Sequence, residues 1–190
     1  MKKIIFAASL LTFTTLPLHA SSQTAEQPTN EEARSIAKQF LGQLKPELQK
    51  SMKRNGPAGT IEFCHSKAPQ IAHELSKETG WKINRVSLKP RGATATPDQW
   101  ETTVLNRFNE QLAKGDNPQN IEFSATVVVN NEKQFRYMKA IPTGDVCLKC
   151  HGTDIAAPVK GALQKLYPDD AATGYSKGQL RGAFSFSKAL

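Results

Sequence analysis

Hydrophobic positions recur every three or four residues along the first half of the chain, which is the spacing of amphipathic helices. A first helix opens at the capping box Thr29-Asn30-Glu31-Glu32, and its apolar face is formed by Ala33, Ile36, Phe40, Leu41, Leu44 and Leu48. We expect Pro46 to kink this helix or begin a second segment, and Asn55-Gly56-Pro57 to end it.

A second helical pattern runs from about Thr60 to Lys77 and stops at Gly80. Its apolar residues lie within roughly 80° of one another at about 100° per residue, and they are Ile61, Cys64, Ala68, Ile71 and Leu75. This places Cys64 on the buried stripe, with His65 about 100° around the helix from it. Pro69 frees the carbonyl of His65 and bends the helix locally.

In the second half of the chain, several segments alternate between apolar and polar residues, as β-strands do. The predicted elements are a strand over Arg85–Lys89, a helix over Pro97–Ala113, a hairpin of Ile121–Val129 and Gln134–Ile141 around the turn Asn130-Asn131, and a final strand over Leu180–Phe186. Helices come first and antiparallel strands follow. The predicted class is therefore α+β, with N-terminal helices packed on one antiparallel sheet.

Cys147-Leu148-Lys149-Cys150-His151 follows the second strand of the hairpin after a short loop. Two thiols separated by two residues, with a histidine directly after, form the attachment signature of c-type haem. Cys147 and Cys150 can each form a thioether with one porphyrin, and His151 then reaches the iron as the proximal ligand.

The N-terminus predicts export. Lys2 and Lys3 precede an apolar run from Ile4 to about Leu16, and Ala20 is a small residue suited to cleavage. We interpret residues 1–20 as a signal peptide, 21–28 as a flexible lead and 29–190 as one domain. The apolar run is too short to span a bilayer, and no later segment is apolar enough, so we expect a periplasmic protein without a membrane span after cleavage.

The composition narrows the function classes. The net charge of +8 is scattered, and no basic run is interleaved with aromatic residues, so nucleic-acid binding is not expected. The excess of positive charge suits haem propionates and an acidic redox partner or membrane surface. The chain has three cysteines, so with two of them bonded to haem, Cys64 has no disulfide partner within the chain.

Several side chains are candidates for the second axial position on the iron. His73 faces away from the apolar stripe, Met52 lies among basic residues, and Met138 is expected to pack in the sheet. Trp100 and Phe123 are interpreted as core residues. The residues alone leave two candidates, which are Cys64 and the adjacent His65.

Four sequence blocks together resemble the Tll0287-like family of c-type haem proteins. They are Cys64-x-x-x-Ala68-Pro69-x-Ile71-Ala72, Arg85-Val-Ser-Leu-Lys-Pro90-Arg91 with Pro97-Asp98-x-Trp100-Glu101, Cys147-Leu-Lys-Cys150-His151-Gly152, and Gly174-Tyr175-x-x-Gly178-x-Leu-Arg181-Gly182-Ala183. The resemblance covers essentially the whole chain after the signal peptide. One block departs from it, because Gly92-Ala-Thr-Ala-Thr96 stands where family members often have Asn-Pro-x-Asn.

The resemblance implies a PAS-like fold that carries one covalent haem c, with the iron held between His151 and Cys64. Arg91 and Arg181 are candidates for contacts with the haem propionates, because guanidinium forks suit carboxylates. Arg85 and Lys89 are further candidates for the same role. The related domains are sensory modules, although this chain contains no kinase, cyclase or receptor segment.

Two other classes compete with a haem protein. A structural zinc site would use Cys64, Cys147, Cys150 and His151 as its four ligands. A thiol oxidoreductase would use Cys147 and Cys150, but the motif lacks the βαβ context of such proteins. The sequence shows no acid–base constellation for catalysis, so an enzyme is not expected. We therefore predict a periplasmic monohaem cytochrome c that transfers electrons to an unknown redox partner, with redox or small-gas sensing through a separate partner as the alternative.

Overall fold

The structure is a computed structural model, and it describes residues 27–190. The predicted signal peptide (1–20) and most of the predicted lead (21–28) lie outside the described residues. No helix within residues 27–190 is long and apolar enough to cross a membrane.

Helix α1 spans Asn30–Thr79 and contains a break at Gly56, whose φ of 64° lies in the left-handed region. Its N-cap is Thr29, whose side chain accepts a hydrogen bond from Glu32 N. The reciprocal half of the predicted capping box does not form, because the Glu32 carboxylate accepts hydrogen bonds from the Trp81 indole at 2.8 Å and from Lys188 at 3.1 Å. The helix ends at Gly80, which has a φ of 72°.

The break at Gly56 replaces the predicted end of the first helix. The helix was expected to stop at residues 55–57, but the chain resumes helical geometry directly after Gly56. Thr60 Oγ1 donates to the Gly56 carbonyl at 2.8 Å and lies 3.0 Å from Ser51 Oγ, so side chains satisfy polar groups that the break exposes. Pro46 and Pro69 remain inside the helix.

Four antiparallel strands form one sheet in the order β1-β4-β3-β2. Their bounds are Lys82–Val86 for β1, Glu122–Val129 for β2, Glu132–Pro142 for β3 and Leu180–Ala189 for β4. Strand β1 begins and ends three residues earlier than the sequence predicted, because Ser87 leaves the sheet and its N–H donates to the Ala95 carbonyl at 3.0 Å. The predicted hairpin is confirmed, and Asn130 and Asn131 both have positive φ at its turn.

Three hydrophobic clusters position the elements. The sheet packs against α1 through a core that includes Phe40, Ile71, Leu75, Trp81, Tyr137, Phe184 and Phe186. Helix α2, Gln99–Ala113, covers the second cluster, which includes Val86, Val104, Leu105, Phe108, Met138 and Ala183. Two further helices follow the hairpin: α3 (Leu148–His151) and α4 (Ala157–Leu166). The α+β class with N-terminal helices and an antiparallel sheet is confirmed.

Candidate functional site

Both thiols of the predicted attachment motif lie on one short turn together with the imidazole. Cys147 precedes α3, and its carbonyl accepts hydrogen bonds from Cys150 N at 3.1 Å and from His151 N at 2.9 Å. Because this turn is helical, the side chains of Cys147 and Cys150 are three positions apart and lie on neighbouring parts of its surface.

The backbone around His151 is attached to the segment before β4. The carbonyls of His151 and Gly152 accept hydrogen bonds from Tyr175 N and Gly174 N, each at 2.9 Å. The imidazole is oriented by a third contact, since Nδ1 lies 2.7 Å from the carbonyl oxygen of Ala172. A carbonyl can only accept, so Nδ1 carries the proton and Nε2 keeps its lone pair.

Arg181 lies over the face of the His151 ring. Its Nε is 3.1 Å from Nδ1 and 3.4 Å from Nε2, and an atom in the ring plane at both distances would overlap the ring itself. Burial, followed by the charges of Arg181 and Arg91, lowers the pKa of His151 to about 2. The imidazole is therefore neutral at physiological pH, which is the state in which it binds metals.

Arg91 holds the attachment turn against the loop before Ala172. Its guanidinium pairs with Asp170 at 3.1 Å and donates to the carbonyls of Cys150 and Ala172. Both charged side chains of the pair are largely buried. These contacts give Arg91 a structural role that the sequence did not indicate, and its contact with a haem propionate stays a prediction.

Arg85 and Arg181 lie close together without an acidic partner in the described part of the chain. Arg181 donates to Ser87 Oγ at 3.0 Å, and the Arg85 guanidinium lies 5.2 Å from the centre of the Phe40 ring. Burial and the charge of Arg181 lower the pKa of Arg85, although its side chain is still reached by solvent. Arg85 is an exposed residue, so its guanidinium is open to an anionic partner.

Cys64 lies near the same group of cations. Burial raises the pKa of its thiol, and the Cys150 thiol raises it further, whereas Arg85 and Arg91 lower it. The side chain is half-buried, and the adjacent His65 is exposed. The structure thus brings Cys64 into the neighbourhood of Cys150, 86 positions further along the chain.

Helix α4 helps to bring Cys64 and Cys150 together, because it packs on the turn of α1 that precedes Cys64. Ile61 forms a buried cluster with three apolar residues of the second half, and Cys150 packs against that cluster; the three are Ile155, Val159 and Leu163. Tyr167 follows α4, and its ring lies 5.2 Å from the ring of His65 in an edge-to-face arrangement.

The remaining ligand candidates are separated from the site. Met138 is fully buried beneath α2, which confirms the prediction that it packs in the sheet. Trp100 and Phe123 pack on the same core, also as predicted. His73 is exposed.

The predicted rival zinc site is not assembled. Within residues 27–190, no group of three or more His, Cys, Asp or Glu side chains is arranged to hold a metal ion. The three cysteines are free thiols. The four-ligand zinc interpretation therefore lacks the geometry that it requires.

A cavity of about 570 Å³ lies on the α2 side of the sheet, next to Tyr175 and Ser87. None of the three cysteines lines it. Neither His151 nor Arg85 lines it, so the cavity is separate from the residues of the candidate site.

Fold and site together define an α+β protein in which a thiol–thiol–imidazole turn faces a cysteine and a group of arginines. A family model described as Tll0287-like matches residues 22–188, and the chain belongs to that family. Among solved structures, it is similar to that of the cyanobacterial haem protein Tll0287, with 24% identity, a TM-score of 0.59, and coverage of 86% of this chain and 98% of that chain. At this identity, the likeness shows the fold. No curated protein matches the chain.

Two parts of the site were missed by the sequence analysis. Helix α4 was not predicted, although Val159, Leu163 and Leu166 recur at helical spacing after Pro158, which suits the first turn of a helix. The role of Asp170 as the partner of Arg91 carried no sequence signal, because the two residues are 79 positions apart.

Proposed function

We propose that the protein is an exported monohaem c-type cytochrome that transfers electrons. One haem c is attached to Cys147 and Cys150, and His151 and Cys64 are its axial ligands. The haem supplies one-electron chemistry at its iron. The protein residues attach it, orient its ligands and balance its charge.

The orientation of His151 is the observation that carries this proposal. The carbonyl of Ala172 accepts a hydrogen bond from Nδ1–H at 2.7 Å, so Nε2 presents a lone pair from the turn that bears both thiols. A histidine that binds a metal through one nitrogen usually donates from the other to a carbonyl or carboxylate.

The arginines fit the carboxylates of a haem. Arg85 lies near Cys64 and Arg181 lies over the ring of His151, and no described acidic side chain forms an ion pair with either arginine. Guanidinium groups pair well with carboxylates, and two propionates would supply such partners. Arg91 is less suited, because Asp170 and two carbonyls already occupy much of its guanidinium.

Cys64 is the better of the two candidates for the sixth ligand. Its side chain is half-buried and lies near Cys150, Arg85 and Arg91. Burial raises the pKa of the Cys64 thiol, and the charges of Arg85 and Arg91 oppose that effect. His65 is exposed, and its ring contacts Tyr167 instead. The family resemblance supports the same choice.

A PAS-like description of the sheet is supported by its strand order, in which β1 at one edge pairs with the last strand, β4, and β2 of the hairpin forms the other edge. Export to the periplasm is supported by the apolar run that follows Lys2 and Lys3. The positive charge favours an acidic redox partner. No acid–base pair lies beside the thiols in the described residues, so we do not propose an enzyme.

Redox or small-gas sensing through a separate partner is the second candidate function. The break at Gly56 favours it, because it separates the segment that carries Cys64 from the first segment of α1. A ligand that is released on reduction would then have a hinge about which its segment can move.

Absorption spectra of the oxidised and reduced protein, with carbon monoxide added to the reduced form, test the proposal. We expect a Soret band from haem that survives acid–acetone extraction, and a six-coordinate ferric spectrum. Carbon monoxide binding to the reduced protein supports sensing, and a reduced spectrum that carbon monoxide leaves unchanged supports electron transfer. A protein without covalent haem contradicts both functions.

A further inference from the structure

The cavity on the α2 side has the size and lining of a binding site for a small organic molecule. Its volume of about 570 Å³ falls within the range of about 300–1,000 Å³ typical of ligand pockets. Its lining combines apolar residues with a few polar groups. The apolar residues are Leu88, Leu105, Leu112, Ala113 and Leu180.

The charged groups that line this cavity are both cations. Lys89 and Lys177 line it, and no acidic side chain does. Lys89 Nζ donates to the Thr173 carbonyl and lies 4.8 Å from the centre of the Tyr175 ring, so it is held at the wall. Lys177 pairs with Asp145 at 2.8 Å, but both side chains are mostly exposed, and such a pair contributes little stability. An incoming anion can therefore replace Asp145.

The polar groups beside the lysines are amides. Asn109 on α2 and Gln179 before β4 line the cavity, and the Gln179 side chain accepts a hydrogen bond from Ser176 N at 2.8 Å. Amide N–H groups donate to carboxylate oxygens. The lining thus combines two cations, amide donors and four leucines.

The cavity is one side chain away from His151. Tyr175 lines the cavity, and its ring lies 6.3 Å from that of His151 in an edge-to-face arrangement. Ser87 also lines it, and Ser87 Oγ accepts a hydrogen bond from Arg181, which covers the His151 ring. A molecule in this cavity would therefore contact Tyr175, which packs against the imidazole, and Ser87, which binds the arginine that covers it.

We propose that this cavity binds a small organic carboxylate with an apolar body, and that its occupancy is transmitted to His151 through Tyr175 and Ser87. The carboxylate pairs with Lys89 and Lys177, and the body packs on Leu105, Leu112 and Leu180. The binding part is independent of the proposed electron transfer. The link to His151 rests on the proposed ligation of the haem iron.

Titration calorimetry on the haem-loaded protein tests the binding, with benzoate as the probe and benzamide as its neutral counterpart. We expect saturable one-to-one binding of benzoate, and at least about tenfold weaker binding of benzamide, because only benzoate pairs with the lysines. Lys177→Gln should weaken benzoate binding by about fivefold or more. Lys149→Gln, an exposed change that lies outside the cavity, should leave it unchanged.

A blocking variant tests the location. Asn109 is exposed on α2, so Asn109→Phe places a larger apolar ring at the cavity wall without disturbing the core and should weaken benzoate binding. The absence of saturable benzoate binding to the unaltered protein would overturn the proposed site, and so would equal affinity for benzamide or full binding by Asn109→Phe. At saturation, we expect a shift of the Soret band. An unchanged haem spectrum at saturation would overturn the link to His151 and would leave the proposed electron transfer unaffected.

Discussion

His151 Nδ1 lies 2.7 Å from the carbonyl oxygen of Ala172, on a segment 21 positions further along the chain. This contact fixes both the tautomer and the direction of the imidazole. The neighbouring hydrogen bonds from Gly174 N and Tyr175 N attach the same turn to the same segment. Backbone groups thus hold the imidazole that we propose as the proximal ligand, and it is neutral and oriented before any metal binds.

Removing both thiols tests the attachment. We expect the double variant Cys147→Ser, Cys150→Ser to lose haem that survives denaturing gel electrophoresis, because serine hydroxyls form no thioethers with the porphyrin. Haem staining of the denatured protein measures this. Lys149→Ser is the matched control, since Lys149 is exposed between the two cysteines. Wild-type staining of the double variant would rule out c-type attachment at this motif.

The packing of α4 on α1 should stabilise the fold and the site together. Leu163 is 4% exposed in the cluster with Ile61, so Leu163→Ala should lower the free energy of unfolding by about 2–5 kcal/mol. Denaturant unfolding measures the change, and Lys160→Ala on the exposed side of α4 is the control. A loss no larger than that of Lys160→Ala would show that α4 does not hold this cluster together.

Replacing glycine with alanine should have opposite effects on stability at Gly182 and at Gly161. A Cβ at Gly182 would lie 2.3 Å from the Val86 carbonyl oxygen, so Gly182→Ala forces β1 and β4 apart and should cost about 1–3 kcal/mol or more. A Cβ at Gly161 meets nothing within 4 Å in α4, so Gly161→Ala should stabilise the protein by about 0.5–1 kcal/mol. Thermal unfolding of both variants checks the signs. Equal shifts in the same direction would contradict the close approach at Gly182.

The acid sensitivity of the fold should depend on Glu122. Its hydrogen bond to Arg34 lowers the pKa of Glu122 below its usual value of 4.5 in spite of burial, and Tyr137 donates to it at 2.7 Å. A carboxyl with a lowered folded-state pKa stabilises the fold above the unfolded-state value and loses that contribution as the pH falls through the folded-state value.

Unfolding measured between about pH 6 and pH 3 checks this. We expect Glu122→Gln to be less stable than the unaltered protein near neutral pH and to lose less stability on acidification. Glu110→Gln, at an exposed position of α2, should follow the unaltered protein. If Glu122→Gln and the unaltered protein lost the same free energy of unfolding as the pH falls, this carboxyl would not contribute to the acid sensitivity of the fold.

The elements that could be predicted from sequence are those with a local signal. Regular spacing predicted both segments of α1, and Asn130-Asn131 predicted the hairpin turn, because asparagine tolerates positive φ. Helix α4 has ten residues with Gly161 in its interior, so its local signal is weak and its stability comes from packing on Ile61. Short helices depend on tertiary contacts in this way.

In the candidate site too, the residues that could be predicted are those with a local sequence signal. Cys147, Cys150 and His151 lie within five consecutive residues, so the sequence alone identifies their motif. The approach of Cys64 depends on α4, and the engagement of Arg91 depends on Asp170, which lies 79 positions away. Residue type alone made Arg91 and Arg181 equal candidates for propionates. The structure distinguishes them, because Asp170 neutralises Arg91, whereas Arg181 has no such partner among residues 27–190.

The ligation by Cys64 is the central claim, and a thiolate differs from other ligands in its charge. It stabilises ferric iron, so we expect a lower reduction potential than that of a His/Met pair. Cys64→Ala should open the sixth position, convert the ferric protein from low to high spin and raise the potential. The buried residues Ile61, Ala68, Ile71 and Leu75 should keep the helix folded.

Electron paramagnetic resonance of the ferric protein, with His65→Ala as the matched variant at the adjacent position, is the most direct measurement. The account predicts a low-spin signal in the unaltered protein and in His65→Ala, and a high-spin signal in Cys64→Ala. An unchanged low-spin signal in Cys64→Ala would contradict thiolate ligation, and its loss in His65→Ala instead would assign the sixth position to His65.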